Sequence, residues 1–103
     1  MKLIQKLSEM VDEEIGDAHK YVKCALEYKD THPNLSKVFF DLSAAETQHM
    51  TILHTEVAKL IEQYRQQHGE PPEGMKAVYD YLHQKQIDKA AEVKTLQGMY
   101  RGA

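Results

Sequence analysis

Two breaks constrain this chain more than any other feature. Asp30-Thr31-His32-Pro33-Asn34 and His68-Gly69-Glu70-Pro71-Pro72-Glu73-Gly74 contain all three prolines and two of the five glycines, so nothing between them punctuates strongly. The stretches on either side are rich in Leu, Glu, Lys, Gln, Ala and Met, which are good helix formers. The chain therefore reads as all-α and one domain, 1–103. Its first helix spans about 2–29, its second about 34–67 and its third about 75–100, with a loop over 68–74. Proline cannot extend the helix before it but suits the start of the next, and the short first loop favours an antiparallel hairpin.

Spacing locates the sides that these helices bury. In the first, Leu3, Leu7, Met10, Ala18, Tyr21 and Ala25 recur at threes and fours, and all fall within about 40° of Glu14 on a helical wheel. The second carries Leu35, Val38, Phe39, Leu42, Met50, Leu53, Val57 and Leu60, with Glu46 near the centre of the stripe and His49 to one side. Met75, Val78, Leu82, Val93, Leu96 and Tyr100 line one side of the third. Lys85, Gln86 and Lys89 interrupt that side, which predicts a helix that is broken or packed only by its ends.

Several function classes find little support. The net charge is −3, with both signs interspersed and no basic run to follow a phosphate backbone, so nucleic acid is not expected. No apolar run is long enough to cross a bilayer, and charges close behind Met1 leave no room for the apolar core of a signal peptide. The single cysteine, Cys24, excludes an intramolecular disulfide and fits a reducing compartment, so a cytoplasmic protein is expected.

What remains is a cluster of ionisable groups on sides that are otherwise apolar. Glu46 and His49 stand three residues apart, about 60° on the wheel. A Glu-x-x-His string proves little alone, and Asp80-Tyr81-Leu82-His83 is a similar string that reads as surface, because Asp80 points almost opposite Leu82. Depth in the hairpin adds weight. Glu14 and His49 each lie 15 residues from the turn, about 22 Å, and Glu46 is within one turn of that level. Glu14, Glu46 and His49 thus meet at one height, where a metal ion would offset the burial of charge. A di-iron centre of the ferritin-like kind takes a Glu from each of two helices and a Glu-x-x-His from each of two others. Two copies of this hairpin about a two-fold axis supply that set. Four carboxylates and two imidazoles suit two iron ions, with manganese or zinc as other occupants. Tyr21, two turns after Glu14, and Glu56, about 10 Å beyond His49, are candidates for a supporting role around the ligands.

Over residues 7–60, Glu14 with Ala18, Tyr21 and Ala25, followed by Glu46-Thr47-Gln48-His49, resembles the metal helices of rubrerythrin and other ferritin-like proteins. No second pair follows Gly74, since Glu92 has no His three residues on. In this the chain is similar to encapsulated ferritins, whose short subunits build the di-iron centre between protomers. The resemblance implies a four-helix bundle completed by a homodimer or dimer-based oligomer, with Glu14, Glu46 and His49 as metal ligands. It also implies oxidation of Fe(II) by oxygen, a ferroxidase activity. Peroxide reduction in the rubrerythrin manner ranks lower, because the chain lacks a Cys-rich electron-transfer domain. A rival reading is a non-catalytic helical interaction protein, with Tyr79, Tyr81, Met99 and Tyr100 of the third helix facing a protein partner.

Overall fold

The computed structural model describes residues 2–102, and among them all regular structure is helical: α1 Lys2–Glu27, α2 Pro33–His68 and α3 Glu73–Gly102. Pro33 opens α2, where its missing N–H costs nothing. Gly69 closes it with a positive φ of 78°, a conformation that side chains disfavour, while its N–H donates to the Arg65 carbonyl at 2.8 Å. Arg65 and His68 in the last turn suit the negative end of the helix dipole. The molecule is a rod of 55 × 19 × 19 Å.

α1 and α2 pack as a hairpin through small residues. The Ser43 hydroxyl donates to the Ala18 carbonyl at 2.7 Å, and the Ser36 hydroxyl donates to the Ala25 carbonyl. Side chains this short reach a carbonyl of the other helix only where the backbones come close. All four residues are fully buried. The two pairs share one antiparallel register, which sets Glu14 opposite Thr47, between Glu46 and His49.

The buried side of α1 is not the expected one. Ile4, Val11, Ile15, Ala18, Val22 and Ala25 are buried, whereas Leu3 and Met10 are exposed. The buried stripe is centred about 60° round the helix from Glu14, so Glu14 lies at its margin and not in its middle. α2 is displaced in the same sense, with Ser36, Ser43 and Val57 buried and Leu35, Val38 and Leu42 exposed. The third helix causes the displacement. Val93 of α3 enters the core formed by Val11, Ile15 and Ala18, with Met50, Leu53 and Ala90 packed around it.

α3 is continuous and packs mainly through its C-terminal half, which corrects the expectation of a helix that is broken or packed only by its two ends. The interrupting Gln86 is buried because its amide donates to the Ser8 hydroxyl at 3.1 Å and to Asp12 at 2.9 Å. Gln97, also buried, donates to the Ser43 hydroxyl at 3.0 Å. At the far end Tyr100 stacks on Phe40, 4.5 Å between ring centres, and its carbonyl accepts from Lys29 at 2.8 Å. These contacts run α3 parallel to α1 and leave Met75, Val78 and Leu82 exposed at its start. α3 fills one groove of the hairpin. The other groove is open, and it contains Leu3, Met10 and Glu14 of α1 with Leu35, Leu42, Glu46 and His49 of α2.

Candidate metal centre

The open groove brings Glu14, Glu46 and His49 together. One ligand-type atom from each lies within 4.8 Å of the other two, and no other group of three or more His, Cys, Asp or Glu does so among the described residues. His49 Nδ1 is 3.5 Å from Glu46 Oε1 and 3.7 Å from Glu14 Oε2. Both distances exceed a hydrogen bond, so these are ionic neighbours and not a closed network. The three side chains grade from inside to outside, with 18% exposure for Glu46, 25% for Glu14 and 55% for His49.

The electrostatic oddity is Glu14. Its Oε2 is shut off from solvent and has no hydrogen-bond donor. A buried carboxylate oxygen without a hydrogen-bond donor loses its hydration, and here only the His49 imidazole at 3.7 Å offsets the loss. A cation set between Glu14, Glu46 and His49 would supply the missing partner, and the donor set of two carboxylates and one imidazole suits Fe(II), Mn(II) or Zn(II). Three side chains leave positions open on any such ion, and the groove gives access to them from outside.

The other expected residues stand apart. Tyr21 is half-buried and stacks on Phe39, with ring centres 6.3 Å apart, and Phe39 stacks on Tyr28 at the same spacing. Glu56 is exposed and pairs with Lys59 at 3.2 Å, as a solvated surface residue does. Of the third-helix residues, Tyr81 and Met99 are exposed, Tyr79 lines a cavity against α2, and Tyr100 is engaged with Phe40. The Glu14 oxygen, the ring of exposed Leu35, Val38 and Leu42, and the small-residue seam went unrecognised in the sequence. The spacing of Ala18, Ala25, Ser36 and Ser43, two small residues seven apart on each helix, was the available signal.

No family model, curated protein or solved structure matches the chain. No described helix is long and apolar enough to cross a membrane.

Proposed function

We propose that the protein binds a pair of metal ions, iron foremost, between two copies of itself, and that it handles or oxidises Fe(II) there. The observation that carries this reading is the buried, donorless Oε2 of Glu14 beside Glu46 and His49. The position of the cluster supports the two-copy form. It lies in the one groove of the hairpin that α3 leaves open, flanked by exposed Leu3, Met10, Leu35, Val38 and Leu42. A second copy laid in that groove buries these side chains and brings a second set of ligands. The four glutamates of the pair balance the charge of two Fe(II) ions.

In this reading Glu46 and His49 hold an ion from one helix, and Glu14 reaches across to it from the other. The ions act as substrate: each Fe(II) gives one electron to dioxygen, and the two electrons with two solvent protons yield hydrogen peroxide. The chain's own contribution is an anionic, half-buried pocket that stabilises the more highly charged product ion.

A second reading, a non-catalytic interaction protein, draws on exposed Tyr81 and Met99 of α3. Elemental analysis with native mass measurement separates the two. Two iron ions per two chains, lost in the Glu46→Ala, His49→Ala double variant, are expected. Full iron content in that variant, or a metal-free dimer from iron-supplemented cells, overturns the metal reading.

A further inference from the structure

Where α1 begins, α2 and α3 continue without it, and a cavity of about 210 Å³ lies between them. Residues 54–65 of α2 and 76–86 of α3 supply its long walls, so it extends roughly 15 Å along the rod. Short side chains help to open it, Ala58 on α2 and Ser8 on α1. Its middle is apolar, lined by Val57, Ile61 and Leu82. At the inner end His54 and His83 stack, with ring centres 5.1 Å apart. At the loop end stand two cations, Arg65 of α2 and Lys76 of α3. Among the described residues Lys76 pairs with no carboxylate, and Arg65 is 3.6 Å from Glu70, too far for a hydrogen bond.

We propose that this cavity binds a small carboxylic acid with an apolar chain, of which octanoate is the type. The chain lies against Val57, Ile61 and Leu82, and the carboxylate lies between Arg65 and Lys76. The site is separate from Glu14, Glu46 and His49 and does not depend on the reading of that cluster. An apolar space between helices with a few polar groups at one end is the usual form of a small-ligand site. At about 30 Å³ for each water-sized group, the cavity holds roughly seven, which suits the chain of octanoate and not that of a long lipid. Two cations against one carboxylate, Asp80, give its wall a net positive charge. Asp80 lies one turn inward from Lys76 and repels an anion set deeper, so the head belongs at the loop end.

The position gives the ligand an effect. Met75, Val78 and Leu82 are exposed at this end of α3, so apolar packing holds the two helices weakly here. A chain that fills the cavity of the folded protein, and has no such site on the unfolded one, stabilises the fold by mass action.

The test is calorimetric titration of the full-length protein with octanoate, octanol and octylammonium, with thermal unfolding in parallel. Octanoate should bind once per chain at submillimolar concentration, at least about tenfold more tightly than either of the others, and should raise Tm. Lys76→Glu should weaken octanoate at least about tenfold, and Ala58→Phe, which fills the cavity, should abolish its binding. Both positions are exposed, so helicity by circular dichroism should be unchanged. The Glu46→Ala, His49→Ala variant should bind octanoate as the native protein does. Octanoate that binds no better than octanol or octylammonium, or equally well in Lys76→Glu or in Ala58→Phe, overturns the proposal, and so does its loss in Glu46→Ala, His49→Ala.

Discussion

Glu14 holds a carboxylate oxygen away from water with no donor to replace it. Without a metal that oxygen is a liability, and in the proposed metal-binding role it would be a ligand, so one substitution should separate the two. Glu14→Gln removes the charge while keeping the shape, and should stabilise the metal-free protein by about 1 kcal/mol while weakening iron binding. Thermal unfolding with and without Fe(II) checks this, and a variant that is less stable in both states counts against it. A second residue-scale effect concerns Glu92. The His19 imidazole donates to its carboxylate at 3.0 Å, and with Lys89 nearby this holds Glu92 below the ordinary carboxylate value of 4.5. A pKa lowered by folding means that the unfolded chain binds the proton more readily. The pair's contribution is therefore full above 4.5 and is lost as pH falls through the lowered value. The pair is exposed, so the effect is small and sensitive to salt. In a carboxyl NMR titration, His19→Ala should move the Glu92 midpoint up towards 4.5. An unmoved midpoint would assign the shift to the neighbouring lysines, Lys89 and Lys23.

At the scale of elements, the hairpin depends on residues too small to register as hydrophobic pattern. Ser43 accepts from Gln97 of α3 and donates to Ala18 of α1, so one hydroxyl ties all three helices together. Ser43→Ala leaves the buried Gln97 amide without an acceptor and should cost about 1–3 kcal/mol. Denaturant unfolding should show the loss, and Ser43→Ala with Gln97→Leu should recover part of it. This explains what the sequence disclosed and what it concealed. The breaks at Pro33 and Gly69 delimit all three helices to within a few residues, because proline and positive-φ glycine act locally. Glu14, Glu46 and His49 were also legible as neighbours, since depth along a hairpin follows from residue count alone. The rotation of each helix was not legible. Large apolar side chains such as Leu3, Leu35 and Leu42 dominate a helical wheel, yet the close seam belongs to Ala18, Ala25, Ser36 and Ser43. Gln86 and Gln97 concealed the packing of α3 in the same way, because buried amides look like solvated ones until their partners are known.

For the whole molecule, the hairpin has two grooves and its own third helix fills only one. Among the described residues Leu3, Met10, Leu35, Val38 and Leu42 are all exposed, and on the two helices of the hairpin they flank the Glu14, Glu46 and His49 cluster. If a second copy covers that groove, association and metal binding are one equilibrium, because each copy supplies half of the ligands. Val38→Glu with Leu42→Glu tests this at positions that contribute little to the core of a single chain. The pair should leave helicity and metal-free stability within about 0.5 kcal/mol of the native protein, as surface changes usually do. In the proposed two-copy form it should also convert the dimer to a monomer in sedimentation and abolish stoichiometric iron binding, although Glu14, Glu46 and His49 are untouched. Conversely, Fe(II) should strengthen association of the native chain and leave Glu46→Ala, His49→Ala unaffected. A Val38→Glu, Leu42→Glu monomer that still binds iron fully would place the site within one chain and make the open groove incidental to it. A dimer that persists in this variant would move the interface elsewhere, with the exposed start of α3 around Val78 and Leu82 as the next surface to alter.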